Sequence, residues 1–183
     1  MLRLLALVEL LCVLATAVPA AADPTPMPLT MIGVGPHGYD FMVGHWECSE
    51  TGRWSGKQPQ AWELKVQRVG DGSLLQLASF KGFAGIQVQP LKYISETKTW
   101  SISEANNLGD VVFSETSQDM GQKTTWVGWE LLSDSRDTLS HKIHDQDTLT
   151  YLSLDEFNDV TEQQTGARGT WETSEDSTCQ RSG

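Results

Sequence analysis

From residue 43 onward, apolar side chains recur at every second position over short runs, and turn residues separate one run from the next. In AWELKVQRV (61–69), Trp62, Leu64 and Val66 alternate with Glu63, Lys65 and Gln67, the period of a strand that buries one face. Gly70-Asp71-Gly72 turns the chain into SLLQLASFK. Gly82-Phe83-Ala84-Gly85 turns it again into IQVQPLKYI, where Pro90 predicts an edge position or a bulge. TWSISE, VVFSETS, QKTTWVGWELL, TLSHKIH, TLTYLSLDEF and ARGTWETSE follow, with Asp145-Gln146-Asp147 read as the turn between the seventh and eighth of these nine runs.

About ten short strands joined by tight turns, with almost no helical period, predict an all-β fold. Tight connections leave no room for crossovers, so the expectation is a single antiparallel up-and-down barrel of about 8–10 strands. The one candidate helix is a single turn at 38–43, plugging a barrel end. The barrel domain is assigned to residues 38–183. Asp23 to Pro28 (DPTPMP) carries proline at alternate positions and cannot form a ladder, so 23–37 reads as an extended linker.

Residues 1–22 change the picture of address. Arg3, the apolar run Leu10–Val18 and the small residues Ala20, Ala21 and Ala22 have the layout of a cleaved export signal. The apolar run is shorter than the ~20 residues that cross a bilayer, so the mature chain is expected to be secreted or periplasmic with no membrane insertion. Cys12 falls inside the signal, which leaves Cys48 and Cys179 as the mature cysteines. Two cysteines in an exported chain read as one disulfide joining the first strand to the C-terminus. The net charge of −11 argues against nucleic acid and anionic membrane surfaces as partners.

The stretch DFMVGHWECSETG (40–52), with YISETKTWSI (93–102) and GTWETSEDSTCQR (169–181), resembles the calycin superfamily of lipocalins and fatty-acid-binding proteins. It looks most like the exported bacterial lipocalin-like barrels of unknown function. The resemblance implies that Trp46, from Gly44-His45-Trp46, packs across the closed barrel end against an arginine of the last strand. Arg168 and Arg181 compete for that role, and Arg168 is preferred because it heads the last run. Haem-binding barrels of the nitrobindin type share the strand count and the glycine–tryptophan start. They carry a longer Gly-X-Trp-X-Gly-X-Gly signature, whereas Glu47, Cys48 and Ser49 follow Trp46 here; if haem bound, His141 or His144 would be its axial ligand.

Little else points to chemistry. His141 and His144, three apart on a strand, face opposite sides and cannot share a metal; no metal site and no cofactor are assigned. No nucleophile elbow, phosphate loop, His-Glu-X-X-His or dinucleotide fingerprint occurs. Asp145/Asp147 and Asp155-Glu156 read as solvated carboxylates beside turns. Seven tryptophans are the more informative feature. Trp126 and Trp129 must face opposite sides unless Gly128 forms a bulge. Trp62, Phe80, Tyr93, Trp100, Phe113 and Trp126 are the large residues expected to line the interior, where they suit a small apolar or aromatic molecule. A filled barrel acting as a structural or interaction module of the envelope is the alternative, and an enzyme with an unrecognised site is a third class.

Overall fold

The computed structural model describes residues 29, 32–52, 56–82, 85–107, 109–116, 121–132, 141–164 and 169–183, with the side chains of 56, 57, 132, 141 and 142 outside that description. The expected signal peptide and the proline-rich start of the linker fall outside it. So do Arg168 and Trp54. Ten strands form a closed barrel: β1 (Gly44–Gly52), β2 (Gly56–Gly70), β3 (Ser73–Phe80), β4 (Ile86–Ile94), β5 (Thr99–Asn106), β6 (Val111–Thr116), β7 (Lys123–Leu132), β8 (His141–Ser153), β9 (Glu156–Gln164) and β10 (Trp171–Ser182). Each pairs antiparallel with its neighbour in sequence, and β10 returns to pair with β1. The up-and-down meander read from the turns is the observed topology.

Period-2 alternation sorts side chains into wall and lumen along every strand. In β1, Trp46, Cys48 and Glu50 are buried while Glu47, Ser49 and Thr51 face out. In β3, Leu74, Gln76 and Ala78 are the buried set. At one end this burial is completed by the chain itself. Residues 32–43 turn across the barrel floor, with Ile32, Tyr39 and Met42 at most 2% exposed. Thus the described part of the expected linker belongs to the plug. Ile32 O accepts from Gly121 N, and Trp100 Nε1 donates to Gly35 O at 3.2 Å. The expected helical turn is a short 3₁₀ turn at Asp40–Met42, pinned to β2 by an Asp40–Arg68 ion pair.

Gly-X-Trp has a local physical explanation. Trp46 donates from Nε1 to Met42 O at 2.9 Å, fixing the turn to the barrel floor. The Arg181 guanidinium lies 4.4 Å from the Trp46 ring centroid. Arg181 also donates to the carbonyls of Val43, Phe41 and Leu154 and to the carboxylate of Asp155. Gly44 holds φ at 141°, and a Cβ there would sit 2.8 Å from Arg181 Nη1, so a side chain would collide with the clamp. The arginine that packs on Trp46 is Arg181; Arg168, the preferred candidate, lies outside the described residues. Register decides it, because Trp46 and Arg181 are directly paired across β1 and β10. Two positions along the same ladder, Cys48 pairs with Cys179, and the two form a disulfide with 4.1 Å between Cα atoms.

Three local expectations are corrected. Pro90 sits in neither an edge nor a bulge. The β4–β5 ladder keeps one register from Val88↔Ala105 to Leu91↔Ile102 and skips Gln89 and Pro90 between them, so the missing N–H falls where no ladder bond is made. Gln89 Nε2 spans that gap with a 2.5 Å bond to Glu104 Oε2. The hairpin after β8 turns at Leu154–Asp155, not at Asp145–Asp147, which lie inside β8. Gly128 makes no bulge, since β7 keeps register with both neighbours.

Arg181→Lys keeps the charge but loses the planar fork that reaches several carbonyls at once. The expected result is a loss of about 2–3 kcal/mol in urea unfolding under oxidising conditions. A change below about 0.5 kcal/mol would remove Arg181 from its clamping role.

Candidate functional site

Above the plug the barrel is hollow. A cavity of about 220 Å³ runs from the floor toward the end formed by the start of β2, β4 and β6 and the end of β3, β5 and β7. An aromatic ring fits a dry pocket of roughly 150 Å³, so the volume admits a ring bearing a short substituent. The lower part is apolar: Tyr39, Met42, Leu64, Leu91, Trp126 and Phe157 line it. Tyr39 leans on Trp126 with ring centroids 5.8 Å apart. Burial pushes the Tyr39 phenol up to about 12, so it is neutral at ordinary pH.

The upper wall is acidic. Glu50 on β1, Glu104 on β5, Asp145 and Asp147 on β8, Asp159 on β9 and Glu175 on β10 line the cavity. Asp110 before β6 and Glu130 on β7 complete the set, giving eight of the chain's 24 acidic residues. The strands β2, β3 and β4 contribute amides instead, Gln60, Gln76, Gln87 and Gln89. Among the described residues, no Lys, Arg or His lines the cavity. Some carboxylates are met by amides: Gln89 bonds Glu104, Asn106 Nδ2 donates to Asp110 at 2.8 Å, and Gln163 Nε2 donates to Glu130 at 2.8 Å. Others are not. Glu50 is 3% and Asp145 4% exposed, and Oε1 of the first and Oδ1 of the second accept no hydrogen bond.

Withdrawal from water makes these charges costly. Desolvation, with repulsion from Asp147, Glu130 and Glu104 behind it, raises Asp145 to about 8. Burial likewise lifts Glu104 to about 7 and Asp147 to about 6. It moves Glu50 upward, and Asp159 and Glu175 well upward. The lumen therefore retains protons at neutral pH.

The six expected lining residues divide into three groups. Trp62, Phe80 and Trp126 line the cavity, the first two stacked at 5.7 Å. Trp100 is fully buried and packs edge-on to Tyr39 at 5.1 Å, with Tyr93 beside it at 5.7 Å. These two belong to the floor beneath the cavity, not to its wall. Phe113 is 44% exposed and packs at 4.9 Å on Trp129, on the outer surface. Its neighbours Val112 and Ser114 are the buried ones, so the β6 register is one residue from the expected one. His144 is exposed on the outer face of β8 between the buried Ile143 and Asp145, so it cannot serve a group inside the barrel. The side chain of His141 lies outside the described residues.

Sequence reasoning missed the carboxylates by taking Asp145 and Asp147 for turn residues. The signal was present in the alternation Ile143, Asp145, Asp147, Leu149, Tyr151, which places both aspartates on the apolar face of one strand. No protein-family model matches the chain, and no curated protein matches it either. The fold is similar to the crystal structure of Rv2717c from M. tuberculosis, with 10% identity and a TM-score of 0.57. The match covers 86% of this chain and 99% of that one, and at such identity it shows the barrel alone.

Carboxylates raised on folding bind more protons in the folded than in the unfolded state between about pH 4 and about pH 8, so stability falls as pH rises through that window. The ligand-free protein is expected to melt several degrees lower at about pH 8 than at about pH 5.5. A flat or rising profile would contradict buried, protonated carboxylates. Asp145→Asn removes the carboxyl that burial raises to about 8. It should stabilise the protein in thermal melts, by more at about pH 8 than at about pH 5.5; destabilisation at both pH values would show the carboxylate is not held at a cost.

Proposed function

We propose that this chain is an exported, calycin-like carrier that holds a small organic molecule in the barrel lumen. The observation that carries this reading is the cavity itself: a space of about 220 Å³ with an aromatic floor and convergent polar groups above it, the usual composition of a small-molecule site. A filled barrel, which a purely structural module would have, is not what the lumen contains. Trp62 adds a second pointer, since its Nε1–H is buried and has no acceptor while its ring lines the space. The cross-strand disulfide and the glycine–tryptophan start support export and the calycin likeness respectively. The expectation of a small apolar or aromatic ligand is narrowed: the ligand seats a ring on the floor and places polar groups against the acidic wall.

Titration with 4-nitrobenzyl alcohol, an uncharged aromatic quencher of indole, tests this reading. Saturable quenching is expected, and Trp126→Phe should remove much of the signal and weaken binding several-fold. Trp100→Phe should instead lower thermal stability and leave the quenching in place, because Trp100 is sealed under the floor. Absence of any saturable change in the wild-type protein would leave the carrier reading without support.

A further inference from the structure

We infer that the ligand of the lumen is an organic cation, an amine carried on an aromatic or aliphatic body, and that its binding expels protons from the barrel wall. This deepens the carrier reading and rests on it. The charge balance comes first. Eight carboxylates face one cavity, and among the described residues no basic side chain shares it. Amides temper Glu104, Asp110 and Glu130, but Glu50 and Asp145 each keep a buried oxygen without a donor. A buried carboxylate oxygen without a donor is a destabilising feature that a bound N–H would correct.

Geometry then separates an organic cation from a metal ion. Among the described residues, no three acidic, His or Cys side chains converge closely enough to hold a metal. The carboxylates are instead spread over six strands and the β5–β6 turn around the wall, and aromatic faces stand beside them. Asp147 is directly opposite Trp126 across β7 and β8. Glu50 lies one diagonal step from Trp62, whose direct partner is Cys48. An ammonium between a carboxylate and an indole face gains both a charge-assisted hydrogen bond and a cation–π contact once desolvated. A strongly hydrated metal ion uses neither the ring faces nor the apolar floor.

The proton linkage follows from the same groups. Facing the cavity are Glu50 from β1, Glu104 from β5, Asp110 before β6, Glu130 from β7, Asp145 and Asp147 from β8, Asp159 from β9 and Glu175 from β10; β2 to β4 present uncharged side chains. An arriving cation favours the ionised form of whichever carboxylate it meets, so a proton leaves as the amine binds. Acidification reverses the exchange and releases the amine.

The test uses three near-isosteric probes: 4-nitrobenzylamine, 4-nitrobenzyl alcohol and 4-nitrobenzoate, titrated into the intact protein by calorimetry at about pH 7.5. The amine is expected to bind at least about 30-fold more tightly than the alcohol, with the benzoate weakest. Two buffers of different ionisation enthalpy should report release of about one proton per amine bound, and the preference should shrink by about pH 5. A Glu50→Gln/Asp145→Asn double variant, shown to be folded by circular dichroism, should bring the amine-to-alcohol ratio below about 3. An alcohol equal to or better than the amine in the wild-type protein would overturn the cation inference while leaving the carrier reading intact. A ratio unchanged in the double variant would also overturn it. If none of the three compounds binds, both readings fall together.

Discussion

A ten-strand meander has two open edges until its first and last strands meet, and every other property of this protein depends on that meeting. An unpaired edge is a row of free N–H and C=O groups that recruits other chains, and a hollow interior has no meaning in an open sheet. The closure between β1 and β10 is secured three ways along one ladder. The backbone register runs from His45↔Ser182 to Gly52↔Glu175. The Cys48–Cys179 bond crosses it, removing loop-closure entropy from the unfolded chain by up to about 5 kcal/mol in the chain-entropy model. Arg181 then ties β10 to the 3₁₀ turn, to the β8–β9 hairpin and to Trp46. A single residue thus joins the seam to the plug, so the closed end and the closed barrel form together.

That rigidity is what permits the unfavourable lumen. Suppressed ionisation of Asp145, Glu104 and Asp147 means that the fold holds acidic groups where water would stabilise their charge better. Sites that bind are commonly sites where local rules of burial are broken and the scaffold compensates. Here the division is spatial. The apolar floor, with Trp46, Trp100, Tyr151 and Ile32 at most 1% exposed, stabilises one half of the barrel, and the half above it keeps its polar groups poised.

The fold was legible in the sequence because alternation and turn chemistry are local. Gly70-Asp71-Gly72 and the run Trp62, Leu64, Val66 announce their strand and turn without reference to anything distant. The disulfide was legible from two cysteines and a compartment. Which face of each strand turns inward was not, since it depends on a register shared around the whole barrel. Phe113 went outward and Ser114 inward for that reason, and Arg181 reaches Trp46 through a pairing 135 positions away in sequence. Asp145 and Asp147 were misread differently. Acidic pairs usually mark turns, and only their spacing with Ile143, Leu149 and Tyr151 says otherwise.

The seam has a consequence for the order of events in the protein's making. Cys48 lies in β1 and Cys179 in β10, the first and last strands of the barrel. Strands β1 to β9 can pair as they emerge, but β1 gains its second partner only once β10, the last strand of the barrel, has been made. Until β10 is free, the growing sheet exposes both edges and the clamp at the plug has no arginine. The sheet therefore cannot become a barrel in stages: it is an adhesive open sheet until β10 arrives, and any factor that delays that strand prolongs the interval in which it can join a neighbour instead of itself.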